Sequence, residues 1–302
     1  MRLNVKRSLF SAFYRFRNTS TAQYVVERLK KQGISQDRIR GEHLSFIYDN
    51  MSRLTDSPDF SFAKKVLPDS EATKLSDSAP LWGVIVETRE HPALELVVNN
   101  FYSKLGLPIQ IFHGIENRKF ILSTSISDLI SKGVVTLTPL DKSQLIASEY
   151  NALFLSRCFW EAVIGRRKIL VFQTDAISCE DSDYTINEFM AYDYIGSKWP
   201  IKRPVGINIE GGNGGLSLRD WEKSIACLER FPPGAWVGGE DGYFAFHLDV
   251  MGGRVGREDE CAKFSTQHEF LFNSFGAHKI SSLDEKSREA FIAYCPESKH
   301  IC

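Results

Sequence analysis

The sequence predicts an α/β domain with a mostly parallel, Rossmann-type sheet, helices on both faces of that sheet, and a helical N-terminal extension. Two observations predict this fold. Strand-like apolar runs alternate with helix-like stripes from Leu81 to Phe172, and a crossover between parallel strands needs a helix's length of chain. The 302 residues are 43% hydrophobic, which is enough for one large core. We divide the chain into an extension, residues 1–80, and a domain, residues 81–302.

Four predicted strands follow one another in this domain. They are Leu81–Val86, Pro108–Phe112, Val134–Leu140 and Ile169–Phe172. The helix after the first strand has apolar residues at steps of three and four and ends at Gly106, because glycine easily adopts the left-handed conformation of a helix end. A short helix around Ile126 precedes the third strand, and one long helix, Lys142–Ile164, precedes the fourth. Ligands of parallel sheets bind beyond the carboxyl ends of the strands, so we expect the site at that edge.

The extension is basic and has a helical pattern. Residues 1–40 hold ten Lys and Arg residues against two acidic residues, with aromatic residues between the charges. This pattern fits an amphipathic helix on an anionic membrane surface, and equally a solvated helix packed on the domain. Residues 44–54 repeat apolar residues at helical spacing. The segment Thr55–Pro80 is rich in Ser, Asp and Pro, as linkers are.

Composition excludes several functional classes. The formal net charge of -1 excludes a nucleic-acid partner that is held mainly by phosphate neutralisation. The six cysteines have no metal-binding spacing and favour a reducing compartment. No apolar stretch has the length of a membrane span. We therefore expect a cytoplasmic protein, and peripheral membrane contact through its basic extension stays open beside packing on the domain.

A carboxylate follows the fourth strand, in the segment Phe172-Gln173-Thr174-Asp175. A diphosphate-linked sugar donor needs a divalent cation to neutralise its phosphates, and an Asp at a strand end can hold that cation. The alternative is that Asp175 only caps the next turn.

A glycine-rich segment, Glu210–Arg219, has four glycines within five positions. This density predicts a loop whose backbone N–H groups approach a ligand closely, or else a flexible turn. The segment is not a phosphate-binding P-loop, because no Gly-Lys-Ser/Thr ends it. A dinucleotide-binding fingerprint is also absent, because Glu87-Thr88-Arg89 stands after the first strand instead.

Two further motifs come late in the chain. Glu240-Asp241 begins a predicted helix, whose dipole keeps both carboxylates ionised, so that Asp241 can act as a general base. The pair could also serve only as a helix cap. In Gly276-Ala277-His278-Lys279, His278 can complete a metal site and Lys279 can neutralise phosphate, or both can belong to a solvated loop.

The order and spacing of these motifs resemble the A-type glycosyltransferase (GT-A) superfamily. There an Asp-x-Asp-like motif ends the fourth strand, a glycine-rich loop follows, a Glu-Asp motif opens a helix under the acceptor site, and a C-terminal His completes the metal shell. More narrowly, the sequence resembles a family of largely uncharacterised microbial and viral glycosyltransferase-like proteins that is labelled a domain of unknown function. The segments that carry this resemblance are Phe172–Asp175, Tyr192–Gly196, Asn213–Arg219, Glu240-Asp241 and Gly276–Lys279.

The resemblance implies an inverting, metal-assisted glycosyltransferase of cell-surface polysaccharide or glycan synthesis. It implies Asp241 as the catalytic base, with Asp175 and His278 as ligands of Mn or Mg. The predicted residues for the nucleotide-sugar donor are Glu87, Thr88, Arg89, Gln173, Thr174, Asn213, Gly214, Gly215 and Lys279. The predicted residues for the glycan acceptor are Tyr194, Trp199 and Glu240.

Some of these roles have alternatives within the sequence. Arg89 could pair with Glu87 instead of meeting the nucleotide, and buried packing is the commoner fate of aromatic residues such as Tyr194 and Trp199. The chain also departs from the superfamily at Gln173, which stands where the first Asp of the motif is expected. Gln173 brings no charge, so the predicted metal dependence rests on the remaining ligands.

Two other functions remain open on the sequence. A nucleotidyltransferase that makes sugar nucleotides would also use an α/β sheet and a metal-binding Asp, although it normally places its glycine-rich loop just after the first strand. A non-catalytic, membrane-docked scaffold with a decayed transferase fold would explain the single Asp. The retention of Glu240-Asp241 and His278 weighs against this scaffold.

Overall fold

The computed structural model describes residues 31–35, 59, 61–67, 79–200, 210–236 and 238–301. The elements named here belong to one compact unit, Asp56–Pro200, Glu210–Ala235 and Gly239–Cys302. The strands are β1 Leu81–Glu87, β2 Ile109–His113, β3 Val135–Pro139, β4 Lys168–Phe172, β5 Ala176–Ser178, β6 Tyr194–Ser197, β7 Asn213–Asp220, β8 Ser265–Thr266 and β9 Gly276–His278. The helices are α1 Phe62–Val66, α2 Leu94–Leu105, α3 Arg118–Leu122, α4 Ile126–Ser131, α5 Ala147–Phe154, α6 Arg157–Ala162, α7 Trp221–Arg230, α8 Glu240–Val250, α9 Glu258–Phe264 and α10 Glu285–Tyr294.

A six-stranded sheet forms the centre of the unit, with the strand order β3-β2-β1-β4-β7-β6. Strands β1 to β4 pair in parallel, whereas β7 is antiparallel to both of its neighbours. The register pairs Val84 of β1 with Val171 of β4. Glu87 is the last residue of β1 and Thr174 comes two residues after the end of β4, so both residues lie at the same edge of the sheet.

Helices cover both faces of this sheet. In β2, neighbouring side chains point to opposite faces. Ile111 belongs to the same buried apolar cluster as Val97 and Phe101 of α2. Phe112 points to the other face, where its ring contacts Phe159 of α6 with centroids 4.9 Å apart. The α/β class with a mostly parallel, two-sided sheet is therefore confirmed.

A second, three-stranded sheet has the order β5-β9-β8 and joins distant parts of the chain. Strand β5 pairs antiparallel with β9, and Ala176 lies opposite His278. The backbone N–H of Lys279 donates to the carbonyl of Asp175 at 2.8 Å. This pairing brings the end of the chain's last strand to the residues that follow β4.

The long helix predicted over Lys142–Ile164 is wrong, because the structure forms α5 and α6 there. Ser156 between them has an extended backbone, with φ -117° and ψ 132°. The indole of Trp160 donates to the carbonyl of Phe154 at 2.8 Å, so a side chain satisfies a group at the end of α5. Within the predicted linker Thr55–Pro80, the structure forms α1, with Phe62 and Val66 among its buried residues.

The glycine-rich segment forms a strand, which corrects the prediction of a loop. Gly211 and Gly212 have φ values of +109° and +85° and make the turn, but the glycines after them lie in β7. The alternation of Leu216 with polar neighbours was a strand pattern, and the prediction gave more weight to glycine's low strand propensity. Gly215 lets β7 pass close to His278, because a Cβ at this position would overlap the imidazole ring.

A buried ion pair joins β7 to α8. The guanidinium of Arg219 meets the carboxylate of Glu240 with two contacts, Nη1–Oε2 at 2.5 Å and Nη2–Oε1 at 3.0 Å. The side chain of Arg219 is 0% exposed and that of Glu240 is 4% exposed. Burial by itself would lower the pKa of Arg219, but the carboxylate of Glu240 raises it above its ordinary value, so the guanidinium keeps its charge.

Aromatic rings surround the guanidinium of Arg219. Its central carbon lies 5.0 Å from the ring centroid of Phe154, 5.3 Å from that of Tyr194 and 5.7 Å from that of Phe244, distances that allow cation–π attraction. A Cβ on Gly214 would lie 2.5 Å from Oε1 of Glu240. Only glycine therefore fits between the strand and this ion pair.

Several predictions fall on residues that the structure does not describe. These are the basic segment apart from residues 31–35, the apolar repeat of residues 44–54 and most of the predicted linker. Among the described helices, none combines the length and apolar character that crossing a bilayer requires. Cytoplasmic location and peripheral membrane contact stay predictions.

Replacing Arg219 by Met should destabilise the protein, because Glu240 would remain as a buried carboxylate without a counter-charge. We expect the free energy of unfolding to fall by about 3–5 kcal/mol, measured by urea denaturation. The double variant Arg219→Met with Glu240→Leu should recover most of this loss, because it leaves no unpaired buried charge. A single variant as stable as the wild type would contradict the role of the pair.

Replacing Gly215 by Ala should displace the His278 ring and lower the free energy of unfolding by about 1–3 kcal/mol, the usual range for overpacking. The control is Gly234→Ala, since no atom lies within 4 Å of a Cβ built there. Equal unfolding midpoints for the two variants would show that β7 tolerates a side chain at this position.

Candidate functional site

A cavity of about 610 Å³ opens at the carboxyl ends of β1 and β4. Most of the residues that the sequence singled out line it. They are Glu87, Thr88, Arg89, Gln173, Thr174, Asp175, Asn213, Gly214, Gly215, Glu240, Asp241, His278 and Lys279. The topology explains this convergence, because parallel strands end at one edge and the β5–β9 pairing returns the last strand to it.

On one side of the cavity, Arg89 pairs with Glu87, which is the alternative that the sequence left open. The guanidinium makes a bidentate contact with the carboxylate, Nε–Oε1 at 2.8 Å and Nη2–Oε2 at 2.7 Å. Glu87 is buried while the side chain of Arg89 is 56% exposed. The bond to Glu87 raises the pKa of Arg89. A ligand that enters the cavity therefore meets a guanidinium held in place by a buried carboxylate.

On the neighbouring wall, three side chains meet at the imidazole of His278. Its Nε2 lies 3.2 Å from Oδ1 of Asp175 and 3.2 Å from Oε1 of Gln173. Burial by itself would raise the pKa of Asp175, but the contact with His278, together with the charges of His278 and Lys279, lowers it below its ordinary value. Asp175 is therefore a carboxylate at neutral pH.

The chemistry of these atoms fits a hard divalent cation. Oδ1 of Asp175 is buried, and the nitrogen that faces it is Nε2 of His278 at 3.2 Å, in a geometry poor for a hydrogen bond. Carboxylate oxygen and imidazole nitrogen are both ligands of Mn, and Mg prefers oxygen. Over the described part of the chain, no group of three or more His, Cys, Asp and Glu side chains could hold a metal. A cation at this place would need further ligands from a bound substrate.

Lys279 directly follows this group and has a left-handed backbone, with φ +51°. Such a conformation is costly for a residue with a side chain and is concentrated at functional sites. Its backbone is held by the hydrogen bond to Asp175, and its side chain is exposed and lines the cavity. From this position the ammonium group of Lys279 can neutralise the charge of an anionic ligand.

The two acidic residues at the start of α8 have different environments. The carboxylate of Glu240 is bound by Arg219, and Glu240 also lines the cavity, so its contact with an acceptor stays a prediction. Its backbone N–H donates to Oδ1 of Asn151 at 3.1 Å, and this contact fixes the end of the helix. Asp241 is half-buried; its Oδ1 accepts from the N–H of Gly242 at 2.6 Å and its Oδ2 lies 3.4 Å from the N–H of Gly214.

Tyr194 and Trp199 are not among the residues that line the cavity. Tyr194 is 0% exposed and its hydroxyl donates to the carbonyl of Gly212 at 3.1 Å, so its ring has no face free for a sugar. Trp199 is half-buried beyond the end of β6. Tyr194 therefore cannot stack on a sugar without rearrangement, and acceptor contact by Trp199 stays a prediction.

The sequence did not predict several cavity residues, and four of these are polar: His91, Tyr150, Asn151 and Gln267. Tyr150 lies on α5, and its hydroxyl is buried and makes no hydrogen bond. Gln267 follows β8, is 3% exposed, and has a buried Oε1 without a partner. Tyr150 lies within the long helix predicted over Lys142–Ile164, to which the sequence assigned no functional residue, and no motif surrounds Gln267. The sequence carried no signal for either residue.

The solved structures that this chain resembles include two glycosyltransferases and a nucleoside-diphosphate-sugar pyrophosphorylase. The galactosyltransferase LgtC, solved with donor and acceptor sugar analogs, is 9% identical with a TM-score of 0.43 and 65% of this chain and 86% of that chain covered. The glycosyltransferase GlyE of Streptococcus pneumoniae is 10% identical with a TM-score of 0.42, over 72% and 60% of the two chains. A nucleoside-diphosphate-sugar pyrophosphorylase of Vibrio cholerae is 12% identical with a TM-score of 0.39, over 70% and 99%.

No curated protein sequence matches the chain. Residues 136–278, which run from β3 to the end of β9, match the model of the family described as Protein of unknown function (DUF5672). The resemblance of this sequence to a family of unknown function is thereby confirmed over these residues.

Proposed function

We propose that this protein is a glycosyltransferase that moves a sugar from a nucleotide-sugar donor to a hydroxyl group of a glycan acceptor. One observation carries the proposal. Among the described residues, five buried side-chain atoms lack hydrogen-bond partners, and four of them belong to residues that line the cavity: Tyr150, Asp175, Gln267 and His278. Unpaired buried polar atoms cost free energy unless a ligand pairs with them, so the cavity suits a polar ligand.

The charges along the cavity support a nucleoside diphosphate as the anionic half of that ligand. The nucleotide would lie beside Glu87, Thr88 and Arg89, at the end of β1. Its diphosphate would lie near Asp175 and Lys279, where a cation can be held. Gln173, Thr174, Asn213, Gly214 and Gly215 would line the donor from the β4 and β7 side.

Asp175 and His278 would hold Mn or Mg, and the donor's phosphate oxygens would complete its coordination. When bound, such a cation stabilises negative charge on the departing nucleotide. Since Gln173 brings no charge, this chain supplies one carboxylate and one imidazole. The low pKa of Asp175 keeps that carboxylate ready to bind a cation at neutral pH.

Asp241 would act as the general base at the other end of the donor. The acceptor hydroxyl oxygen forms a bond to the anomeric carbon while the bond from that carbon to the diphosphate breaks, and the hydroxyl proton passes to Asp241. A single displacement of this kind inverts the configuration. The Gly242 and Gly214 N–H groups hold the carboxylate, and Glu240, held by Arg219, orients the helix that carries it. The acceptor in this proposal is a polysaccharide or another glycan of the cell surface.

The donor half of the proposal predicts that one nucleotide sugar raises the melting temperature, and raises it further with Mn, because a ligand that binds only the folded state stabilises it. Asp175→Asn should remove the Mn-dependent part. Asp181→Asn, an exposed Asp outside the cavity, serves as the matched control. A full Mn effect in Asp175→Asn would contradict the assignment of this residue to the cation.

The base assignment predicts that Asp241→Asn keeps donor binding but slows sugar transfer by about 10²–10⁴-fold, the usual contribution of a positioned general base. Transfer is measured as radiolabelled sugar incorporated into a glycan acceptor. Undiminished transfer would exclude Asp241 as the base.

The two alternative functions give different results with the wild-type protein. Pyrophosphate release from a nucleoside triphosphate and a sugar phosphate would show a nucleotidyltransferase. The absence of both this reaction and sugar transfer would favour the scaffold.

A further inference from the structure

Two neutral polar groups in the cavity have no role in the proposed chemistry. They are the hydroxyl of Tyr150 and the amide of Gln267, both of which line the cavity. They come from different parts of the fold, since Tyr150 lies on α5 and Gln267 follows β8. Neither the buried hydroxyl of Tyr150 nor the buried amide oxygen of Gln267 makes a hydrogen bond of normal geometry, and the amide of Gln173 lies near the Tyr150 hydroxyl.

The position of Tyr150 points to the middle of the proposed donor. The next residue on α5, Asn151, accepts from the N–H of Glu240 at 3.1 Å, which places Tyr150 beside the start of α8. Its phenol also lies near the charges of Glu240, Arg219 and Asp175 and near the amide of Gln173. A diphosphate beside Asp175 and an anomeric carbon within reach of Asp241 leave the transferred sugar between them. Tyr150 therefore lies beside the part of the ligand that the nucleotide-binding and base residues do not contact.

The chemistry of the two groups selects among ligand atoms. Burial raises the pKa of the Tyr150 phenol, and the charge of Glu240 adds to this effect, so its hydroxyl stays protonated and can donate a hydrogen bond. The amide oxygen of Gln267 can only accept one. A phosphate oxygen accepts but does not donate, and it would be repelled by an amide oxygen. Sugar hydroxyl groups both donate and accept, so they satisfy both groups.

We propose that Tyr150 and Gln267 form a subsite that binds hydroxyl groups of the transferred sugar and contributes to the choice of donor. This inference rests on the proposed function and adds to it the residues that distinguish a sugar nucleotide from its free nucleotide. A site built to hydrogen-bond a hydroxyl group discriminates strongly against ligands that lack it, because its buried polar atoms are then left unpaired.

The test compares two ligands on the full chain, the nucleotide sugar that stabilises the wild type among UDP-, GDP- and dTDP-linked hexoses, and the corresponding nucleoside diphosphate. Affinities are measured by calorimetry. Tyr150→Phe and Gln267→Leu should each weaken binding of the nucleotide sugar by about five- to ten-fold, the usual effect of one lost hydrogen bond to a buried group. Binding of the nucleoside diphosphate should stay unchanged.

The melting temperature of the ligand-free protein provides a second readout. Tyr150→Phe removes a hydroxyl without a partner and keeps the ring contact with Phe154, whose centroid lies 4.8 Å away. Stability should therefore be unchanged or higher. The matched control is Tyr294→Phe outside the cavity, which removes a hydroxyl that donates to the carbonyl of Ser274 at 3.0 Å. It should lower the melting temperature and leave both affinities unchanged.

The outcomes separate this inference from the proposed function. Selective loss of sugar-nucleotide binding with unchanged stability supports the subsite. Equal weakening of both ligands, or no weakening of either, overturns it while leaving donor binding in place. If no nucleotide sugar binds the wild type with or without Mn, the donor function fails and the subsite fails with it.

Discussion

The arrangement of the candidate site depends on one interaction, the buried ion pair between Arg219 of β7 and Glu240 of α8. A charge in a protein interior is stable only when it is paired and hydrogen-bonded, so the two elements are held in one relative position. That position places Asp241 beside Gly214. The glycines of β7 are part of the same constraint, because a side chain at either cavity position would meet Glu240 or His278.

The opposite wall of the cavity depends on backbone pairing. The β5–β9 ladder and the hydrogen bond from Lys279 to Asp175 hold His278 against the residues that follow β4. The left-handed backbone of Lys279 is compatible with this wall only because both flanking segments are fixed. Side-chain ion pairing and backbone pairing thus define two sides of one cavity. Among the described residues, four of the five unpaired buried side-chain atoms belong to residues that line it. Such atoms reduce the stability of the empty protein, as is usual where a site is organised for a ligand.

Much of the fold could be predicted from local patterns. The stripe of α2 and its end at Gly106 agree with the structure, where Gly106 has φ +62°. The strand β7 was missed although its second half alternates, because its glycines have a low strand propensity. The reason for those glycines is the space that Glu240 and His278 occupy, and both residues are far away in sequence. The prediction of one helix over Lys142–Ile164 was wrong for a related reason. The chain can break after α5 because the indole of Trp160 donates to the carbonyl of Phe154 at the end of that helix.

The sequence by itself determined the alternation of strands and helices, the edge of the sheet where polar residues collect, and the chemical types available there. These are properties of neighbouring residues, and hydrophobic periodicity reports them directly. Only the tertiary structure decided which of these residues are paired with each other. It showed that Glu240 is bound by Arg219, that Tyr194 is enclosed, and that Tyr150 and Gln267 line the cavity. Such pairings depend on the path of the whole chain, because they join residues that no local pattern relates.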